Sequence, residues 1–155
     1  MVPTLSFIRT LRRRPAVHPD AVGDARLSLP RRIDGPASAA KLAADLLRHR
    51  REDVTLALFL DGRHRLVGTA VVAVGWVQAV RLSARPILQG SQACRAEAVV
   101  LVRYGRSRPL SATDSEVRCF GALAVGCARY GLPLLDHVVV SERRGYTSTR
   151  FRTTG

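Results

Sequence analysis

The pattern of apolar and polar positions predicts strands separated by helices. Two apolar runs, residues 53–60 and 67–74, flank the turn Asp61-Gly62, which is the signal of a β-hairpin. The second run is apolar almost throughout, as expected of a strand that is covered on both faces. Two further apolar runs, residues 98–102 and 134–140, predict two more buried strands.

Helical spacing predicts three helices between these strands. The first covers residues 36–48, because Pro36 suits a first turn and Leu42, Leu46 and Leu47 form one apolar face. The second covers residues 85–96. The third begins near Thr113, which fits a capping box with Glu116, and ends before Gly131. Its apolar positions at helical spacing are Val117, Phe120, Gly121, Ala124 and Ala128.

The order of these elements predicts a single α/β layered domain over residues 36–155. The first 35 residues have weak periodicity, several prolines and the run Arg12-Arg13-Arg14. We therefore expect residues 1–35 to be an extended or partly disordered basic arm.

The chain is strongly basic, because basic residues outnumber acidic ones by 25 to 12 and the net charge is +13. Lys41 is the only lysine, which fits a GC-rich coding bias. That bias does not explain the excess of base over acid. Arginine forms forked contacts with phosphate, so nucleic acid is one candidate partner. Solubility and an acidic protein partner are the alternatives.

Neither a membrane span nor a signal peptide is indicated by the sequence. No apolar run approaches the roughly 20 residues that cross a bilayer. The short apolar stretch 5–8 precedes the arginines of the arm, whereas the apolar region of a signal peptide follows its charges. Three cysteines without metal-binding spacing are typical of reduced thiols. We expect a cytoplasmic protein.

Several segments carry a resemblance to a known family. They are the hairpin 53–68, the strand 72–75 followed by the helix start 83–86, the stretch 131–140 (GLPLLDHVVV), the stretch 146–148 and the strand-to-helix stretch 99–114 (VVLVRYGRSRPLSATD). Together they resemble the RadC-like bacterial branch of the JAB/MPN metallopeptidases, over residues 51–152. The resemblance implies one layered domain with a curved, mixed, largely antiparallel sheet flanked by helices.

The resemblance also implies a zinc site, and this sequence departs from it. In the family, a strand leads into His-x-His-Pro-Ser-Gly and then Ser-x-x-Asp, and the two histidines and the aspartate hold zinc. Arg103 and Gly105 stand here at the histidine positions, while Ser111 and Asp114 match the later serine and aspartate. A guanidinium only donates hydrogen bonds and glycine has no side chain, so Asp114 alone remains as a ligand. We expect no cofactor.

Other motif positions are retained. The family's glutamate general base falls on Asp53 or Glu52, and Asp136-His137 matches its Asp-His strand motif. We expect His137 near the sheet in a structural role. Ser111 and Asp114 also suit the first turn of a helix, whatever the site does.

The arginines of the altered loop suggest an anion-binding role. One hypothesis is that Arg103 or Arg106 forms an ion pair with Asp114 and preserves the loop without metal. The alternative is a solvated basic loop. The candidate anion-binding residues are Arg103, Arg106, Arg108, Arg12, Arg13 and Arg14.

Three functions are consistent with these observations. The first is a catalytically inactive RadC-like domain that acts by binding, in the DNA-repair-related or nucleic-acid context that the resemblance implies. The second is a zinc-dependent hydrolase of the JAB family with rearranged ligands. The third is a protein-interaction module that pairs with a partner or with a second copy of the chain.

Overall fold

A computed structural model describes residues 31–75, 83–105, 114–142 and 145–150. The basic arm was predicted over residues 1–35, and its residues 1–30 lie outside these ranges. The elements in chain order are α1 (Pro36–Leu47), β1 (Val54–Leu60), β2 (Leu66–Val74), α2 (Ala84–Cys94), β3 (Ala98–Gly105), α3 (Asp114–Ala128), β4 (Leu134–Ser141) and β5 (Gly145–Arg150).

The five strands form one sheet in the order β2-β1-β3-β4-β5. Only the β3–β4 pair within this sheet is parallel, and the other three pairs are antiparallel. The predicted α/β architecture with a mixed, largely antiparallel sheet is therefore confirmed. Helix α3 makes the crossover that two parallel neighbours require.

The two faces of the sheet are covered by different helices. Helix α1 packs on one face, where it shares a core with alternate residues of β1 and β3 such as Leu58 and Val100. Helices α2 and α3 pack on the other face, where the core includes Phe59, Leu101 and Phe120. All seven residues of β1 are buried, which explains its nearly continuous apolar sequence.

Strand β3 is longer than its apolar run predicted. Residues 103–105 belong to the strand and not to a polar loop, because they continue the pairing with both neighbours. Arg103 lies opposite Thr55 of β1 and opposite Val139 of β4. Tyr104 is 2% exposed and packs in the core under α1. Tertiary pairing thus overrides the polar character of this stretch.

The buried face of α3 also differs from the predicted one. Its buried residues are Glu116, Phe120, Leu123 and Cys127, which recur at helical spacing. Val117 was assigned to the apolar face, but it is 43% exposed. The face is therefore rotated by about one residue, and it includes a carboxylate.

The chain already packs on the domain before α1 begins. The Ile33 N–H donates to the His64 carbonyl oxygen at 2.8 Å, and the Leu66 N–H donates to the Arg31 carbonyl oxygen at 2.8 Å. The Ile33 side chain is buried. In the ranges that the structure describes, no helix is long and apolar enough to cross a membrane.

Candidate functional site

The altered motif lies at one end of the sheet, which we call the site end. A row of paired residues crosses the sheet there, through Val74, Val54, Tyr104, Val140 and Tyr146. Because side chains alternate along a strand, positions 103 and 105 share one face of β3. This is the face covered by α3, since Leu101 on the same face packs with Phe120.

Arg103 forms a buried ion pair with Glu116 of α3. Its Nε atom lies 2.6 Å from Oε1 of Glu116, and its Nη2 donates a hydrogen bond to Oε2 at 3.3 Å. Both side chains are 6% exposed. The Nη2–Oε2 contact is a hydrogen bond, whereas the Nε–Oε1 contact brings the two charges together without hydrogen-bond geometry, so the Nε–H group has no hydrogen-bond partner within the described residues.

Asp114 is exposed at the first position of α3, two residues before Glu116. Arg103 therefore has Glu116 as its buried carboxylate partner, and not the predicted Asp114. The reason is helical geometry, because Glu116 lies in the row of α3 that faces the sheet and Asp114 does not. Arg106, Arg108 and Ser111 lie outside the described residues, as do Arg12, Arg13 and Arg14.

Gly105 stands against the carboxylate of Asp53. A Cβ atom added at position 105 would collide with Oδ1 of Asp53 and would lie 3.0 Å from its Cγ. The half-buried Asp53 therefore uses the space into which a side chain at the second histidine position would extend. Of the two candidates for the family's general base, Asp53 is half-buried beside Gly105 and Glu52 is exposed.

His137 lies in β4 on the same face as Arg103 and is 1% exposed. Its ring stacks on Phe120, with the ring centroids 3.6 Å apart. Neither ring nitrogen has a hydrogen-bond partner among the residues described. Burial, together with the nearby positive charge of Arg103, lowers the pKa of His137 from 6.5 to about 3. The ring is therefore neutral at physiological pH.

Two hydroxyl groups complete the polar surface around Arg103. Thr55 lies opposite Arg103 in β1, and Ser141 lies opposite Gly105 in β4. Both are buried, and neither hydroxyl has a hydrogen-bond partner within the described ranges. Asp136 is also buried, but it lies on the opposite face of the sheet from its neighbour His137, because side chains alternate along β4.

The residues at this site do not fit the zinc ion of the family. Arg103 places a permanent cation, already paired with Glu116, at the first ligand position. Gly105 offers no ligand atom, and Asp114 points away into solvent. Within ranges 31–75, 83–105, 114–142 and 145–150, no group of three or more His, Cys, Asp or Glu residues is placed to hold a metal. A catalytic zinc normally needs three protein ligands.

Sequence reasoning missed the role of Glu116. The residue was interpreted as part of a capping box with Thr113, which lies outside the described residues. A signal was nevertheless present, because Glu116 precedes Phe120 by four residues and Leu123 by seven, and so shares their face of a helix. A carboxylate on an apolar helical face indicates a buried basic partner.

Comparison with known proteins agrees with this architecture. A family model for the RadC-like JAB domain matches residues 33–154. A UPF0758 protein of Stenotrophomonas maltophilia is 29% identical over 127 residues, which cover 82% of this chain and 50% of that protein. A UPF0758 protein of Acaryochloris marina is 30% identical over 121 residues, covering 78% and 49% respectively. One of Aquifex aeolicus is 29% identical over 125 residues, covering 81% and 52%.

The chain belongs to the RadC-like JAB domain family, since the family model covers nearly all of residues 31–155. It spans about half the length of the curated relatives that it matches.

The buried ion pair predicts strong energetic coupling between its two residues. Arg103→Met leaves the Glu116 carboxylate buried beside an apolar side chain, and should lower the free energy of unfolding by about 3–5 kcal/mol. Combining Arg103→Met with Glu116→Met should cost less than Arg103→Met alone, since no buried charge remains. Urea unfolding of the two single variants and the double variant measures the coupling.

The Arg48–Asp45 pair is the matched control, because its Nη2–Oδ1 distance is 3.0 Å but the Arg48 side chain is 54% exposed. Arg48→Met should change the free energy of unfolding by less than about 1 kcal/mol. Additive losses for Arg103→Met and Glu116→Met would contradict the coupling.

The low pKa of His137 predicts a loss of stability in acid. Between about pH 3 and pH 6.5 the unfolded chain binds a proton at His137 that the folded chain does not. The contribution of the neutral His137 ring to the free energy of unfolding is therefore fully present above about pH 6.5. About 2 kcal/mol of this contribution should be lost between pH 7 and pH 5. His137→Phe should remove this part of the pH dependence in urea unfolding curves. His64→Asn at the exposed hairpin turn should leave it unchanged, and equal slopes for wild type and His137→Phe would count against the argument.

Proposed function

We propose that this domain acts by binding and not by zinc-dependent hydrolysis. The observation that carries the proposal is the buried Arg103–Glu116 ion pair, whose Nε–Oε1 distance is 2.6 Å. It puts a fixed cation and its own counterion where the family places a metal ligand. The pair closes one side of the site with protein atoms and places a carboxylate of the same domain against the charge of Arg103.

The retained parts of the site support a structural role for it. Asp53 lies against Gly105, so a side chain at the second histidine position would collide with its carboxylate. The His137 ring is neutral and stacks on Phe120 in the core. Zinc hydrolysis requires a metal that lowers the pKa of a bound water to about 7, and this residue set does not supply its ligands.

The partner that we propose is a polyanion, with nucleic acid as the first candidate, and it would bind at the site end. The chain leaves the sheet there after Gly75, Gly105 and Glu142. The connecting sequences 76–82, 106–113 and 143–144 contain no acidic residue. Their arginines are Arg81, Arg106, Arg108, Arg143 and Arg144. Arg50 and the exposed Arg51 precede β1 at the same end.

Basic connections that start from neighbouring strand ends suit a phosphate backbone, because arginine pairs with phosphate through forked hydrogen bonds. A hydrolase with rearranged ligands and a dimerising protein module are the competing functions. Measured zinc content distinguishes a hydrolase from a binding domain. Light scattering detects a module that dimerises.

Zinc content is the first test of the proposal. The full chain purified without chelator should contain far less than one zinc per molecule, and added zinc should bind no more tightly than it does to Asp114→Ala. The reason is that Asp114 is the one family ligand that this chain retains. Atomic emission and isothermal titration supply the measurement. Stoichiometric zinc that is lost in Asp114→Ala would establish the hydrolase instead.

Salt-dependent binding of nucleic acid is the second test. Fluorescence anisotropy with single-stranded and duplex DNA should give an affinity that falls with salt, since each phosphate contact contributes about −0.9 to the logarithmic slope on duplex DNA. A variant with Arg106, Arg108, Arg143 and Arg144 changed to glutamine should bind more weakly and have a flatter slope. The control changes four exposed arginines far from the site end, namely Arg32, Arg63, Arg95 and Arg129. Equal losses in the two variants would mean that net charge acts without a defined surface.

A further inference from the structure

The end of the sheet opposite the site end carries a separate cleft of about 230 Å³. It lies beside the start of α1, under the hairpin turn, on the α1 face of the sheet. Its walls are mainly apolar, with Asp136, Asp34 and His64 as the polar exceptions. The apolar lining residues are Ile33, Pro36, Leu60, Val100 and Leu135.

Asp136 is the unusual member of this wall, because its carboxylate is buried and incompletely satisfied. The residue is 6% exposed. Its Oδ2 accepts a hydrogen bond of 2.6 Å from the Ser148 hydroxyl, whereas its Oδ1 has no hydrogen-bond partner within the described part of the chain. An ionised carboxylate can accept several hydrogen bonds, and leaving it buried with one is costly. A ligand that donates N–H groups would remove this deficit.

The neighbouring charged groups of the described chain already have other partners. Asp34 is 69% exposed and lies 2.6 Å from Nε of Arg32. Arg31 pairs with Asp45 at 3.3 Å, and Arg65 pairs with Asp61 at 2.8 Å. Arg150 stands opposite Asp136 in the β4–β5 register, and its side chain lies outside the described residues.

The nearby end of α1 does not convert the cleft into an anion site. The Gly35 N–H donates to the Ser38 hydroxyl oxygen at 3.2 Å, and position 36 is a proline without an N–H group. A metal ion is disfavoured as well, because no three metal-binding side chains converge anywhere in the described ranges. The remaining chemistry is an organic cation, whose N–H groups suit a carboxylate and whose alkyl stem suits apolar walls.

We propose that this cleft binds an alkyl guanidinium or alkyl ammonium group, with Asp136 as the residue that receives the cation. The cleft volume is sufficient for one such group with its methylene stem. Two sources supply this chemistry: a free small molecule, or an arginine from residues 1–30 of the same chain, which join the domain at Arg31 beside the cleft. The site is independent of the proposed function at the site end.

The test uses the ¹⁵N-labelled full chain and two probes of nearly equal shape. Butylguanidinium should shift the backbone amide signals of Gly35, Leu135 and Asp136, while neutral butylurea should bind at least about tenfold more weakly. Asp136→Asn should weaken butylguanidinium binding by a similar factor. Asp34→Asn, in the same wall but exposed and paired with Arg32, should change it by less than about twofold. The comparison of the two probes on wild type needs no variant to fold.

Two further full-length variants ask which group fills the cleft. The first tests the arginines of residues 1–30 as the source of the cation. Changing Arg9, Arg12, Arg13, Arg14 and Arg26 to glutamine should tighten probe binding if the chain's own arginine fills the cleft, and should leave it unchanged if the ligand is external. Both results support the cation site. The second variant, Arg150→Gln, tests whether Arg150 itself occupies the cleft beside Asp136. The proposal is overturned if butylguanidinium binds only to Arg150→Gln. It is also overturned if butylurea binds as well as butylguanidinium, or if neither probe binds any of these proteins.

Discussion

The buried ion pair between Arg103 and Glu116 is the constraint on which the rest of the site depends. Removing an arginine and a carboxylate from water is costly, and close contact between the two opposite charges offsets that cost. That contact fixes α3 against the carboxyl end of β3, with Nε of Arg103 2.6 Å from Oε1 of Glu116. The neutral state of His137 follows in part from the same charge, because the nearby cation opposes a second one.

The two ends of the sheet consequently have different chemistry. The site end holds the buried cation of Arg103, which is paired with the carboxylate of Glu116. The opposite end holds Asp136, a buried carboxylate with one hydrogen bond from the described residues, in a cleft with apolar walls.

Much of the fold followed from local sequence signals. Asp61-Gly62 marked the hairpin, Gly131 marked the end of α3 with a φ of 74°, and the apolar runs marked β1, β2 and β4. The end of β3 was missed because Arg103 and Gly105 have the composition of a loop, and only pairing with β1 and β4 makes them a strand. The role of Glu116 was missed because its capping position hid its helical face. The cleft around Asp136 joins residues from four separate parts of the chain, so no local pattern could indicate it.

Anomalous diffraction tests most directly whether an internal ion pair stands where the family holds zinc. Crystals of the full chain soaked in zinc and measured on both sides of the zinc absorption edge would show both features at once. We expect Arg103 bound to Glu116 and no anomalous peak within ligand distance of Asp53 or Asp114. A peak bound by Asp114, with Arg103 turned away from Glu116, would contradict it.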